Sequence, residues 1–421
     1  MNIHTQMHTT AEKALLAAFN SRVADLPGNS DVAMKRDSAV ELLKAGLPTK
    51  RVESWHYTDL RRLLSSVPDF APAADARQVD PLVENSLVLP VLNGEAVGNP
   101  GARDGISFQR VSEKLLDGSL AAALDAFGDD DTIGALNTAF VSDGWHVAIA
   151  DGAVVDTPIE IQSVQSGGQV HTRLPVRVGA NAKAIIVERH AGNEPGLSSS
   201  VSNLLVGEGS DVLWVIVQEQ PEESTHLAQF NAWIAKNAKL TLFVMNCGGK
   251  VVRQEVRVMT KGEGSDFQLR GVNLLAGETH TDVTMVLDHA VPHTTSRELV
   301  RNIVTGRAHG VFQGRINVHQ VAQKTDAKMA CNTLLLSDDG EFSTKPELEI
   351  FADDVACGHG ATVTEIDKNH LFYLMARGID EKSARGLLVK AFLAEVIEEL
   401  DVEPVVEALE SRLDRWFATH G

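Results

Sequence analysis

The sequence predicts a mainly β protein built around a parallel β-helix, with helices confined to its two ends. Short alternating or continuous β-branched runs are the first sign, in Ala184-Ile-Ile-Val-Glu188, Val212-Leu-Trp-Val-Ile-Val217, Leu240-Thr-Leu-Phe-Val244 and Val283-Thr-Met-Val-Leu287, each with the composition of a strand. A recurring turn is the second. Gly179-Ala-Asn-Ala-Lys183, Gly207-Glu-Gly-Ser-Asp211, Ala235-Lys-Asn-Ala-Lys239 and Gly262-Glu-Gly-Ser-Asp266 follow one another at roughly 28 residues, a period of stacked repeats. One such turn cannot bury both faces of its strands, whereas a stack of turns makes a continuous core. The third sign is the lack of amphipathic helices between the strands, which argues against βαβ units. Regular strand spacing also fits a β-sandwich, and that alternative stays open.

Taken in order, residues 1–66 read as an N-terminal helical region. Thr9-Thr10 suits a cap, and Leu15, Leu16, Phe19, Val23 and Leu26 fall at helical spacing before Pro27-Gly28 stops the helix. A second helix is expected from near Asp37, through Val40, Leu42 and Leu43, to Gly46-Leu47-Pro48. The string Leu47-Pro-Thr-Lys-Arg-Val-Glu-Ser-Trp-His-Tyr-Thr-Asp-Leu60 mixes basic residues with Trp55 and Tyr57. Packing of the two aromatics explains it better than an anion site. Residues 67–140, where Pro, Ala and Asp alternate with runs such as Leu87-Val-Leu-Pro-Val-Leu92, read as a mixed linker region.

Residues 141–365 are the expected β-helix core, and from 366 to 421 helical signals return. Leu371-Phe-Tyr-Leu-Met375 leads to a stop at Gly378, and Asp380-Glu381 opens a helix where negative charge suits the dipole. Its apolar stripe is Ala384, Leu387, Leu388, Ala391, Phe392 and Val396. A last helix follows Pro404 with Val405, Val406, Leu409, Leu413, Trp416 and Phe417. A short acidic tail has little else to pack on, so these stripes suit a docked partner as well as an ordinary core.

A chain of 421 residues, 43% hydrophobic and 23% charged, is long enough for a large core and has the composition of a soluble globular protein. Its formal net charge of −19 argues against nucleic acid and against anionic membranes, since phosphate contact needs clustered Lys and Arg. Cys247, Cys331 and Cys357 form no CxxC pair and are too few for a disulfide framework, which predicts a reducing, cytoplasmic setting. Met1 to Thr10 lacks the basic-then-apolar pattern of a signal peptide, and no apolar run approaches the length of a membrane span.

The string Lys345-Pro-Glu-Leu-Glu-Ile-Phe-Ala-Asp-Asp-Val-Ala-Cys357-Gly-His359-Gly-Ala-Thr-Val363 carries the most chemistry. Thiolate and imidazole hold soft and borderline metals or carry sulfur. Two residues apart on a strand, Cys357 and His359 project from the same face. They supply half of a metal or sulfur site and cannot complete one; an incidental pair is the competing explanation. A cationic imidazole beside it would favour the Cys357 thiolate. Cys331 lies about one repeat earlier, which would bring it near Cys357 on the adjacent turn.

Other constellations are weaker. His289-x3-His293 contains Pro292, which removes the helical geometry of a metal pair, and Glu278-Thr-His280 reads as surface polar alternation. Asp353-Asp354 reads as a turn ending the strand Leu348 to Phe351; with Glu349 it would serve a β-helix carbohydrate enzyme, the alternative of a different class. There is no Walker A motif, hence no expected ATP site, no GxSxG, and Gly207-Glu-Gly lacks the rest of a dinucleotide fingerprint.

The Lys345–Val363 string closely resembles the hallmark of the SufB/SufD family, the scaffold subunits of the SUF iron–sulfur cluster assembly system. Ordered matches continue through Arg301, Val311-Phe-Gln-Gly314, Ala322-Gln-Lys-Thr-Asp326, Asn332-Thr-Leu-Leu-Leu-Ser337, Leu371-Phe-Tyr-Leu374 and Arg377-Gly-Ile379. The Leu47–Leu60 string, the shorter chain and the scarcity of cysteines resemble the SufD side of the family. Departures are Gly358 where Ser is commoner, Thr364 where Gly is usual, His56 where Lys is usual, and Met375-Ala376 where Ser is frequent.

The resemblance implies a right-handed parallel β-helix flanked by N-terminal and C-terminal helical domains. It also implies a non-catalytic scaffold subunit that pairs with SufB through the β-helix ends. The SufC ATPase would bind through the C-terminal helices around Leu387, Leu388 and Phe392. Iron or a nascent iron–sulfur cluster would be shared with SufB, with His359 as a ligand completed by a SufB cysteine and Cys357 as the second candidate. A homodimer is the form open to the chain when SufB is absent. A purely structural SufC-docking partner, with no ligand role, is the remaining alternative.

Overall fold

The computed structural model describes residues 7–420; most of the polar start read over Met1–Thr10 lies outside them. Two sheets, of ten and nine strands, lie face to face, and the chain alternates between them so that each turn adds one strand to each. The result is a parallel β-solenoid of about eight turns. Pairings through the stack are parallel and in register, so that Lys183, Asp211, Lys239, Asp266, Thr295, Asp326 and Ala356 form one column at intervals of 27 to 31 residues. This removes the β-sandwich alternative, whose hairpins would make neighbours antiparallel.

The recurring turn works as a corner. Asn181, Gly209, Asn237 and Gly264 all adopt left-handed backbone, with φ of 54°, 67°, 54° and 73°, a conformation that Asn and Gly accept most readily. Successive corners stack by backbone hydrogen bonds, Asn181 N–H to Glu208 at 2.7 Å and Gly209 N–H to Lys236 at 2.9 Å.

Inside the bore, in-register positions form columns that run the length of the stack. Ile186, Trp214, Leu242 and Leu269 are one such column, all buried. A polar column lies beside it: the Asn246 side chain donates to Asn273 at 2.7 Å, Asn273 to Asn302 at 2.7 Å, and Asn302 to the Thr333 hydroxyl at 3.0 Å. Buried amides must pair, and repetition of Asn at the same position of successive turns lets each satisfy the next.

The N-terminal helices run over Thr10–Arg22 and Ser30–Lys44. Thr9 and Glu12 form a capping box on the first, which ends at Arg22, so that Val23 and Leu26 lie beyond it. The second begins at Ser30 rather than near Asp37, because the Asn29 side chain accepts from the Asp31 and Val32 amides and starts it earlier. The Leu47–Leu60 string crosses the outer face of the nine-stranded sheet. Trp55 is fully buried beneath the Arg253 guanidinium, 4.1 Å from its ring centre, and the Thr58 hydroxyl bonds His280 at 2.8 Å.

Residues 67–140 contribute to the stack. Leu87–Leu92 pairs in parallel with Val154–Ser166 and turns back as a hairpin with Glu95–Ala96. Ile106–Arg110 pairs antiparallel with Trp145–Ile149. With Leu89, Val91 and Ala96 buried, these strands close the first end of the bore.

The C-terminal helices span Lys368–Met375, Glu381–Ile397 and Glu403–His420. The last two lie on the outer face of the ten-stranded sheet, where Val389, Leu393, Val396, Ile397, Leu409 and Leu413 meet Val215, Val217, Phe243, Met245 and Val272. The tail therefore has a large apolar surface to pack on, contrary to expectation. The expected stripe is buried only in part: Ala384 and Val396 are buried together with Val389, Leu393 and Ile397, Leu388 and Phe392 are half-buried, Ala391 is exposed and Leu387 is 50% exposed. Among the described residues no helix is long and apolar enough to cross a membrane.

Replacing Asn273 by Ala removes the middle rung of the amide column and orphans groups on Asn246 and Asn302. The expected loss is about 1–3 kcal/mol for each group left unsatisfied, measured as a lower urea midpoint with unchanged slope.

Candidate functional site

Among the described residues the stack ends without a lid: its final strand, Ala356–Glu365, pairs only with Asp326–Leu335, and Glu341–Ile350 is the matching edge of the other sheet. Side chains that would be core elsewhere are half-exposed along both edges. Phe351 and Val321 at this end are 65% and 66% exposed.

Register places the candidate ligands at the mouth of the bore. Cys357 continues the column of Ser296 and Ala327, and His359 that of Glu298 and Met329. Ala327 and Met329 are buried in the core, so Cys357 and His359 share the inward face of the last strand, as their spacing predicts. Cys357 is half-buried and packs against the core, whereas His359 is exposed.

Burial pushes the Cys357 thiol up. A hydrogen bond at the Ala327 backbone opposes that shift, and the carboxyls of Asp326 and Glu298 reinforce it. The surroundings of the sulfur in the chain alone therefore favour the thiol, against the thiolate that a cationic imidazole would favour. Sulfur and imidazole nitrogen are donors that suit iron or zinc. Among the described residues no group of three His, Cys, Asp or Glu stands close enough to hold a metal ion, so this chain offers two donors and not a closed site.

Cys331 does not join them. It pairs with Ala361, four residues along from Cys357, which separates the two by about 13 Å along the strand. It is buried among core residues, which pushes its thiol up to about 12, and it accepts from Asn302 at 3.3 Å. The stacking of turns was legible in the sequence; the offset within the turn was not.

The remaining candidates resolve as structure. His280 is buried and bonds Thr58, so it is not the surface alternation expected of Glu278-Thr-His280; the Leu47–Leu60 string covers it. His289 is buried against Thr294 at 2.7 Å, and His293 sits in a left-handed turn at φ 59°. Asp353 and Asp354 lie in the turn after the penultimate strand, with Asp354 paired to Lys324.

One residue escaped sequence reasoning. Glu298 points into the bore, buried, with neither carboxyl oxygen paired in hydrogen-bond geometry. Burial raises its pKa to about 8, and the Ser296 hydroxyl two residues back on the same face relieves little of this. The signal was phase: Ser296, Glu298 and Val300 occupy the inward alternation, and an acid there breaks an apolar pattern.

Glu298 also yields a stability test. Its folded pKa lies above that of an exposed Glu, so the folded state holds a proton the unfolded state has lost between about pH 4.5 and 8. Stability from this group is full at acid pH and falls as pH rises through that window. Glu298→Gln should therefore unfold at a temperature that depends less on pH from 6 to 9 than wild type, with the gap widest at the alkaline end. Parallel curves for the two proteins would contradict this.

Comparison with known proteins adds to the geometry. Residues 161–392, more than half of the chain, match the SufBD core domain of SUF system FeS cluster assembly. The chain is 29% identical to an iron–sulfur cluster assembly SufBD family protein of Synechocystis, over 93% of this chain and 92% of that protein. It is 28% identical to the iron–sulfur cluster assembly protein SufD of Escherichia coli, over 89% and 90%. It is 28% identical to the chloroplastic protein ABCI7 of Arabidopsis thaliana, over 86% and 82%.

Proposed function

The chain belongs to the SufBD core family of the SUF system, and from that premise we propose that it is a scaffold subunit whose open β-solenoid end forms half of an assembly site. Its broad role is iron–sulfur cluster assembly, in the manner of a SufD-like protein. The finer reading is that a SufB-type subunit covers the open end, that iron or a nascent cluster is the cargo held between them, and that His359 is this chain's ligand.

One observation carries the reading: a strand edge and an inward-facing Cys-x-His pair are left uncovered at the same end of an otherwise closed core. An unpaired edge is a template for another chain, and two donors need donors from a partner to close a site. His359 is the better ligand because it is exposed. Cys357 stands second, since its half-buried thiol must first lose a proton to bind metal. The same end would accept a second copy of the chain when the SufB-type subunit is absent.

The C-terminal helices are the proposed seat of a SufC-type ATPase. Leu387 is exposed, Phe372 and Tyr373 on the preceding helix are 72% and 55% exposed, and Leu388 and Phe392 are half-buried. The chain itself is read as non-catalytic, its contribution being geometry and ligands. The carbohydrate-enzyme alternative loses ground, since Asp354 is held in an ion pair at a turn.

The test is co-purification with SufB- and SufC-type partners, then anaerobic reconstitution with iron and sulfide, with wild type beside His359→Ala. The expected result is an intact complex in both and cluster absorption lost only in the variant. Equal clusters in both would reduce this chain to a structural docking partner.

A further inference from the structure

We propose that Arg301 and Asn332 are positioning residues that tie the C-terminal docking helix to the strand carrying Cys357 and His359. The inference deepens the proposed function and rests on its reading of that helix and that strand.

The geometry is a column on the outer face of the ten-stranded sheet. Val272, Arg301, Asn332 and Thr362 are in-register neighbours on four successive strands of that sheet. Helix Glu381–Ile397 lies over the first part of this column, and the last part emerges at the open end. Arg301 is 8% exposed, and its guanidinium stands 5.0 Å from the Phe392 ring centre and pairs with the Glu395 carboxylate, both on the helix. The same guanidinium donates to the Asn332 side-chain oxygen, and the Asn332 amide donates to the Thr362 hydroxyl at 2.6 Å. A continuous polar chain therefore runs from the helix, across two strands, to the last one.

Thr362 is three residues from His359 on the opposite face of the same strand. That strand is paired on one side only, so few contacts fix its position. A further cross-strand side-chain bond, from the Thr364 hydroxyl to the Thr333 carbonyl, is long at 3.5 Å. Any displacement of the helix that moves Glu395 or Phe392 shifts the Arg301 fork, whose other side-chain hydrogen bond among the described residues is to Asn332. Arginine suits the place because its planar fork holds two acceptors in fixed directions. Two elements joined by one polar chain are expected to respond non-additively when both ends are cut.

The test measures hydrogen exchange of amides in the Ala356–Glu365 strand, first in the chain alone. Glu395→Gln, at an exposed helix position, should speed exchange in that strand by about twofold or more, and the same substitution made on Asn332→Ala should add nothing further. Asn332→Asp should restore the coupling, because a carboxylate accepts from both Arg301 and the Thr362 hydroxyl. Additive effects of Glu395→Gln and Asn332→Ala would overturn the proposal.

A second measurement uses the complex with the SufC-type ATPase. Docking should change exchange in the last strand of wild type and leave it unchanged in Asn332→Ala, although both bind the ATPase equally. An equal change in both proteins would overturn the coupling while leaving the docking site standing. Failure of wild type to bind the ATPase would overturn the docking reading and this proposal with it, whereas the chain-alone cycle judges the polar chain by itself.

Discussion

In-register stacking of turns is the constraint on which the rest of the structure depends. Each turn leaves apolar side chains that only the next turn can cover, so order at one level requires the same register at the next. The columns of buried residues, the amide ladder of Asn246, Asn273 and Asn302, and the left-handed corners at Asn181, Gly209, Asn237 and Gly264 all follow from it. So does the asymmetry of the two ends. The first is closed by the hairpin of Leu87–Leu92 and Glu95–Ala96, while the last has no further turn to cover it.

The open end explains how ordinary core positions become a candidate site. Cys357 and His359 occupy the inward phase that Ile186, Trp214 and Leu242 fill deeper in the stack, and they are reachable because the stack stops there. In the two columns that Cys357 and His359 continue, apolar side chains give way to polar ones two strands before the mouth, at Ser296 and Glu298. The helices that flank the solenoid each grip one sheet. The Leu47–Leu60 string holds the nine-stranded sheet through Trp55 and Thr58, and the C-terminal helices hold the ten-stranded one through Val389, Leu393 and their neighbours.

Much of this was legible in the sequence, for identifiable reasons. The repeat was visible because each corner needs Gly or Asn at one backbone position, and that need recurs with the turn. The shared face of Cys357 and His359 followed from strand periodicity alone. Three things were hidden. The strand Leu87–Leu92 reads as linker because its pairing partner, Val154–Ser166, is remote in sequence. The helix Glu381–Ile397 carries two adjacent apolar stripes, and the sheet beneath it buries Val389, Leu393 and Ile397 of one with Ala384 and Val396 of the other. The separation of Cys331 from Cys357 depends on register within a turn, to which a repeat period is blind.

The central claim is that the open solenoid end is covered by a second chain that completes the site. The most direct measurement is the alkylation rate of Cys357 in the chain alone and bound to its SufB-type partner, with Cys357→Ser subtracting the background of Cys247 and Cys331. The account requires the rate to fall sharply on binding. A stable complex in which Cys357 reacts as fast as in the free chain would contradict it, and would put the partner on another face of the solenoid.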